Sequence, residues 1–164
     1  QLYAGVVEVC KTKLGAGHQR TLWYMNQLGS LHKDQGRWEE AEKLEGQRLE
    51  IIKTSFMVDD HRMLESMANM AAMYHTQEKY MKAETMLVGL LTLQCRNLSS
   101  WDPDKIQTIA SLAAIYYRLR RYAEAEELFV ELLALRRGLL GDKHPDPLQT
   151  MHDLAIARIA VLKR

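Results

Sequence analysis

The sequence predicts an all-α protein, an α-solenoid in which antiparallel helix pairs stack on one another. Three observations predict this fold. Similar residues recur every 42 positions, the apolar residues within each period follow helical spacing, and short polar turns separate the apolar stretches. Because two short helices alone bury too little apolar surface, each pair has to pack against the next. The 164 residues are enough for a short array of such pairs.

The period is clearest at an aromatic position, where Trp38, Tyr80 and Tyr122 are 42 residues apart and each is followed three positions later by alanine. Eight further columns of four equivalent residues are apolar throughout, whereas chance at this composition gives roughly two of 42. These columns are Leu22/Leu64/Ile106/Leu148, Met25/Met67/Ile109/Met151, Leu28/Met70/Leu112/Leu154, Leu31/Met73/Ile115/Ala157, Leu14/Phe56/Leu98/Leu140, Leu2/Leu44/Met86/Leu128, Val7/Leu49/Leu91/Leu133 and Val9/Ile51/Leu93/Leu135. A small column, Gly29/Ala71/Ala113/Ala155, is expected to let paired helices approach closely.

The helix boundaries follow from the turn residues between the apolar stripes. Pro103 and Pro145 are predicted to open helices, because proline lacks the amide hydrogen that the first helical turn leaves unpaired. Gly36 suits the left-handed residue that closes a helix, and its counterparts Glu78 and Arg120 indicate that other residues are tolerated there. The predicted helices cover 1–13, 19–35, 38–54, 61–77, 80–97, 103–119, 122–139 and 145–162.

These helices are interpreted as one array over 1–164. Residues 1–13 form a lone second helix, 14–55, 56–97 and 98–139 are complete repeats, and 140–164 supply the first helix of a further repeat. An array that opens on a second helix and closes on a first one is expected to be a fragment of a larger protein. The last helix is apolar on most faces, so we expect it to take part in end-to-end self-association or to meet a further repeat.

Composition argues against several other classes of protein. Lys and Arg number 22 against 21 Asp and Glu, so the basic excess typical of nucleic-acid binding is missing. No apolar run approaches the roughly 18 residues of a membrane span. Cys10 and Cys95 are expected to be small buried residues in a reducing compartment, which favours the cytoplasm.

Catalytic and metal-binding motifs are also missing from the sequence. The six histidines do not follow a metal-ligand spacing, and the chain has neither a glycine-rich phosphate loop nor a nucleophile motif. His61 and Glu65 are four residues apart, which on a helix is more typical of a surface ion pair than of a metal site. We therefore expect no enzyme activity, no metal and no cofactor.

The phrase from Thr21 to Glu42, with Gly29, Trp38 and Ala41 in place, resembles a tetratricopeptide repeat, in particular the roughly 42-residue kind found in kinesin light chains. Ala71, Tyr74 and Ala83 carry the same signature, and the linker over 140–146 resembles the inter-repeat linker of that subgroup. The resemblance implies a superhelix with a concave groove that binds a protein or peptide. The alternative is a regulatory or self-assembling array of a larger signalling protein, as in some signalling ATPases.

The resemblance also implies which residues face the groove, because in the family the first helix of each pair lines it. The groove residues expected to bind a partner are Trp23, Asn26, Gln27, Ser30, Asp34, Glu65, Asn69, His75, Gln107, Ser111, Tyr117 and Arg118. Their amides can pair with an extended peptide backbone, Trp23 and Tyr117 are large anchors, and Arg118 with Arg120 and Arg121 could take an acidic residue. Of the residues that would form a clamp for a free C-terminal carboxylate, only Asn69 matches, so tight binding of a free acidic C-terminus is not expected.

Overall fold

The computed structural model describes residues 2–56 and 60–163, and within these ranges the regular secondary structure is entirely helical. The eight helices are α1 (Leu2–Leu14), α2 (Gln19–Asp34), α3 (Trp38–Ser55), α4 (His61–Thr76), α5 (Tyr80–Asn97), α6 (Pro103–Arg118), α7 (Tyr122–Leu140) and α8 (Pro145–Leu162). Each observed boundary lies within one residue of the predicted one, so the all-α prediction is confirmed. Met57, Val58 and Asp59 of the linker, with Gln1 and Arg164, lie outside the described residues.

Local chemistry explains where the helices begin. Both α6 and α8 open on proline, and the residue before each proline caps the helix. Asp102 accepts hydrogen bonds from the amides of Asp104 and Lys105, and His144 accepts one from Asp146. These side chains satisfy amides that have no partner inside the helix.

The start of α4 is fixed by an aspartate–arginine pair. Asp60 Oδ1 accepts the amide hydrogen of Arg62 at 2.9 Å, and the Arg62 guanidinium donates to both oxygens of the same carboxylate. The hydrogen bond from the Arg62 side chain lowers the pKa of Asp60 to about 2. The Arg62 guanidinium also lies 3.5 Å from the centre of the Phe56 ring, so the pair links the end of α3 to the start of α4.

The turns inside the three helix pairs share one backbone conformation. Gly36, Glu78 and Arg120 have φ angles of 70°, 58° and 60°. The amide that follows each of them returns to a carbonyl five residues earlier, as Arg37 does to His32 at 2.9 Å. The prediction for Gly36 is confirmed. Its counterparts adopt the same left-handed geometry with a side chain, which costs conformational energy that glycine avoids.

The chain divides into two compact units, Gln1–Met73 and Tyr74–Arg164. In the first unit α2 packs against α1 and α3, and Leu22, Met25 and Ile52 are at most 2% exposed. The small residues Gly29 and Ala41 are buried on α2 and α3, as predicted for a close approach of paired helices.

In the second unit α6 packs against α5 and α7, and α7 packs against α8. Its core contains Ile106, Ile109, Ala113, Ala125, Phe129, Leu132, Leu154 and Ala157. Tyr80 and Tyr122 of the aromatic column are half-buried, and each ring contacts the preceding helix of its own pair: Tyr122 meets Tyr117 with ring centres 5.3 Å apart, and Tyr80 meets His75 at 6.0 Å. The Tyr80 and Tyr122 rings therefore pack on the last turn of α4 and of α6.

Two sequence expectations about burial are wrong. Cys95 is exposed and Cys10 is only partly buried, because α1 and α5 turn these positions toward solvent. Ala155 of the small column is exposed on α8, whereas its counterparts Ala71 and Ala113 are at most 3% exposed. Among the described helices, none has the length and apolar character that crossing a membrane requires.

Candidate functional site

Seven of the residues predicted to bind a partner lie in the first unit. Trp23 is 53% exposed on α2, and its ring packs edge-on against Tyr24 with centres 4.9 Å apart. Asn26, Gln27 and Ser30 are half-buried, and Asp34 is exposed at the end of α2. Glu65 and Asn69 lie on α4, the former exposed and the latter half-buried. These residues combine one large exposed ring with polar groups that are exposed or half-buried.

The structure joins three of these predicted residues by hydrogen bonds. Asn26 Nδ2 donates to Glu65 Oε1 at 3.0 Å, and Asn69 Nδ2 donates to Asn26 Oδ1 at 3.2 Å. A carboxylate only accepts hydrogen bonds, so Glu65 determines which end of the Asn26 amide faces it. Asn26 then presents its oxygen to Asn69. The side-chain oxygen of Asn69 is therefore the acceptor at the end of this chain.

A buried ion pair on α3 supports this polar cluster. The Arg48 guanidinium donates to Glu45 Oε1 at 2.7 Å and to Glu65 Oε2 at 2.9 Å. Ser66 Oγ donates to the same Glu45 oxygen at 2.7 Å. Glu45 is 5% exposed and Arg48 2%, and Arg48 Nε is buried without a hydrogen-bond partner. Two carboxylates share one guanidinium, so the cluster of Glu45, Arg48 and Glu65 carries one unbalanced negative charge.

The ion pair between Glu45 and Arg48 is not among the sequence predictions, although the repeat columns in which these residues stand could have indicated it. One period later the equivalent residues are Leu87 and Leu90, and two periods later Phe129 and Leu132, all of them buried. Two opposite charges thus occupy columns that are apolar in the other two pairs. A charged residue in an otherwise apolar column indicates either a mispaired register or a buried polar site, and here it is a buried polar site.

A small pocket opens beside the ion pair, within the first unit. It is lined by Gly29, Lys33, Ala41, Glu45, Asn69 and Met73. Its volume is about 10 Å³, close to what a single water molecule needs. A Cβ atom added to Gly29 would lie 3.8 Å from Glu45 Oε2, so the missing side chain of Gly29 leaves room on that side of the carboxylate.

The other five predicted residues lie in the second unit. His75 is exposed on the last turn of α4, and Gln107 and Arg118 are exposed on α6. Ser111 is half-buried, and its hydroxyl donates to the Gln107 carbonyl of its own helix at 3.0 Å. Tyr117 is half-buried against Tyr122. In this unit the predicted residues are separate side chains along α6 and α4 rather than a hydrogen-bonded cluster.

Two sequence interpretations of charged residues are wrong. Arg121 is not free, as expected together with Arg118, to take an acidic residue of a partner, because it already has partners on its own chain. Its guanidinium pairs with Glu84 and Glu124 and lies 4.2 Å from the centre of the Tyr116 ring. His61 and Glu65 do not form the expected surface ion pair, because His61 lies beside Asp60 at 3.7 Å and Glu65 pairs with Arg48.

Both the sequence and the fold match known proteins. The sequence model of the tetratricopeptide repeat matches residues 21–61 and 106–146, which together make up half of the chain. No curated protein matches the sequence. Two similar solved structures are of nearly identical tetratricopeptide-like repeats from a putative kinesin light chain of Podosopora anserina, one of them a variant. Each superposes on this chain with a TM-score of 0.85 at 25% sequence identity. The match covers 99% of this chain and 77% of the other.

A third solved structure shows the same fold. BtubC (BKLC) from P. vanneervenii superposes with a TM-score of 0.74 at 17% identity, covering 97% of this chain and 62% of that one. The fold is a helical repeat solenoid, a non-catalytic scaffold type that is generally used for protein interaction. The chain belongs to the tetratricopeptide repeat family, and its repeats are of the kinesin light chain-like kind.

Proposed function

We propose that the chain is a protein-interaction module whose first helices, α2, α4 and α6, bind an extended peptide or a partner helix. The observation that carries the proposal is the hydrogen-bonded cluster of Asn26, Glu65 and Asn69 beside the exposed Trp23 ring. Amide and carboxylate groups held in place by hydrogen bonds are suited to pair with a peptide backbone. Exposed tryptophan is enriched among residues that dominate binding energy.

The test is a selection of displayed random peptides on the purified chain. The selected peptides are then titrated against Trp23→Ala, Asn69→Ala and Arg118→Ala. Gln47→Ala is the matched control, because Gln47 is an exposed amide on the second helix α3. We expect Trp23→Ala and Asn69→Ala to weaken binding by roughly tenfold or more, the effect of losing more than 1 kcal/mol at a central contact. Equal effects of Gln47→Ala and Asn69→Ala would place the partner elsewhere.

A specific observation favours self-assembly as a second function. Leu148 and Met151 on α8 are 52% and 42% exposed, whereas Leu22 and Met25 at the equivalent positions of α2 are 2% and 0% exposed. In α2 this face is covered by neighbouring helices. The apolar face of α8 is therefore of the kind that a second helix covers elsewhere in the chain.

The helix α1 has the complementary character. It occupies the position of a second helix in the repeat, and its Leu2 and Val9 are 88% and 52% exposed, whereas Leu93 in the column of Val9 is 7% exposed. We propose that α1 of one copy packs on α8 of another, so that copies join head to tail. Such a contact is heterologous and produces chains or rings rather than a closed dimer.

Sedimentation velocity over a range of concentrations tests this second function. We expect the average mass to rise with concentration for the wild type and to stay at that of one copy for Met151→Glu. Val88→Glu is the matched control, because Val88 is an exposed apolar residue in the middle of α5. A single copy at every concentration, or equal loss of association in the control, would refute head-to-tail packing.

A further inference from the structure

The pocket beside the buried ion pair has features that the proposed function does not use. Oε1 of Glu45 accepts two hydrogen bonds, from Arg48 and Ser66. No hydrogen bond formed among the described residues ends on Oε2 of the same carboxylate. This second oxygen lies on the side of Gly29, where the missing side chain leaves room. Glu45 as a residue is 5% exposed and lines the pocket, so its second carboxylate oxygen faces this small space without a donor from the described residues.

The walls of the pocket indicate the chemistry of the missing donor. Asn69 also lines it, and the direction of the hydrogen-bond chain from Glu65 leaves the Asn69 side-chain oxygen as an acceptor. Ala41 and Met73 supply apolar walls. One of the two acceptors belongs to a carboxylate that already holds one cation, Arg48. A carboxylate oxygen, an amide oxygen and apolar walls are suited to a positively charged donor on an aliphatic stem.

The size of the pocket distinguishes between the two basic side chains. The space of about 10 Å³ in which a water-sized group can be centred suits a compact ammonium better than the larger planar guanidinium. We infer that this pocket binds the ammonium group of a lysine side chain on the protein partner, held by Glu45 Oε2 and the Asn69 side-chain oxygen. The inference rests on the proposed function and names the partner chemistry that its first helix pair selects.

Lys33 lines the same pocket and affects how well a cation binds there. It is half-buried, and none of the ion pairs among the described residues joins it to Glu45. Its positive charge near the pocket opposes the entry of a second cation. Replacing it by methionine, which keeps the length of the side chain without the charge, is expected to strengthen binding of a lysine.

The probe is the pentapeptide acetyl-Ala-Ala-Lys-Ala-Ala-amide, titrated into the labelled chain and followed by NMR. Matched peptides carry norleucine or arginine in place of lysine. We expect the lysine peptide to shift the backbone amides of Gly29 and Asn69 and to bind roughly tenfold more tightly than the norleucine peptide, as a charged hydrogen bond requires. The arginine peptide should bind more weakly than the lysine peptide.

Two variants test whether the pocket is responsible. Glu45→Leu combined with Arg48→Leu removes the carboxylate and restores the residue type of Leu87 and Leu90. Gly29→Ala makes only ordinary contacts of 3.8 Å and 4.0 Å, so it keeps the fold while filling the pocket, whether or not the double variant folds. Both should abolish the preference for lysine over norleucine, and Lys33→Met should increase it.

Equal binding of the lysine and norleucine peptides, or a lysine preference that survives Gly29→Ala, would overturn the inference. Its failure is distinguishable from failure of the proposed function. If displayed peptides are selected through Trp23 and Asn69 but lysine brings no preference, the pocket inference alone is wrong. If the lysine pentapeptide binds at Gly29 but no displayed peptide is selected through Trp23, the pocket inference is confirmed and the wider binding face around Trp23 in the proposed function is wrong.

Discussion

Replacing the buried ion pair of α3 by leucines should reveal how this polar site is stabilised. Glu45 and Arg48 side chains are 7% and 3% exposed, so each depends on the other for its charge to be tolerated. Arg48→Leu leaves the buried carboxylate with Ser66 as its one remaining donor among the described residues, and should destabilise the first unit by about 3–5 kcal/mol. Glu45→Leu should cost less, about 2 kcal/mol, because Arg48 keeps its bond to the half-exposed Glu65.

The double variant should recover most of this loss. Leucine occupies both equivalent positions in the second pair, where Leu87 and Leu90 are buried. Ser66 would lose its acceptor, but Thr108 and Thr150 at the same repeat position each donate to the carbonyl four residues earlier, at 2.9 and 2.8 Å. With that alternative available, the double variant should lie within about 1 kcal/mol of the wild type or be more stable.

Urea unfolding of the wild type, the two single variants and the double variant gives the four free energies of unfolding of a double-mutant cycle. Repeat arrays often unfold in more than one step. Hydrogen exchange of the α2 and α3 amides should therefore be measured as well, to show that the loss of stability lies in the first unit. The prediction is a coupling between the two sites of at least about 2 kcal/mol. If Arg48→Leu were harmless, or if the double variant were as unstable as Arg48→Leu alone, Glu45 and Arg48 would not depend on each other in the folded protein.

Two further predictions concern the turns and the start of α4. Glu78→Gly should stabilise the protein by about 1 kcal/mol because it removes a side chain from a left-handed residue, and Gly36→Ala should destabilise it by a similar amount. Thermal unfolding of both variants measures these changes. A lower unfolding temperature for Glu78→Gly than for the wild type would contradict the prediction. Asp60 has a folded pKa of about 2 against 3.8 for its ordinary value, so its stabilisation is present above pH 4 and is lost as the pH falls through 2. Asp60→Asn should therefore lower the free energy of unfolding by about 2 kcal/mol at neutral pH and by progressively less below pH 4. Urea unfolding of both proteins across this pH range measures the difference. A difference that does not change with pH would contradict the pairing with Arg62.

The fold was predictable because its signals are local and repeated. Each helix boundary is specified by residues next to it, such as Pro103, Pro145 and Gly36, and the repetition of the pattern multiplies the signal. The burial of individual positions was less predictable where a column continues into α1 or α8. Leu148 and Met151 share columns with core residues, but in the described structure their faces are exposed. Equivalent positions in the repeat share a residue type, but that type does not show whether a neighbouring helix covers the side chain.

The candidate site was only partly predictable. The resemblance to tetratricopeptide repeats implies that Asn26, Glu65 and Asn69 share one face, and the structure shows that they form hydrogen bonds with one another. It did not indicate that Arg48 on a second helix reaches Glu65, because that contact depends on tertiary packing of a long side chain. The division into repeats at 14–55, 56–97 and 98–139, the cytoplasmic location and the identity of the partner stay predictions.

The central claim is that a partner binds along the first helices. The most direct measurement uses the strongest peptide from the display selection, carrying a photoreactive group at successive positions, with cross-linked residues identified by mass spectrometry. Cross-links should concentrate on α2, α4 and α6, including residues near Trp23 and Asn69. Cross-links confined to the exposed faces of α3, α5 and α7 would contradict the claim and place binding on the second helices.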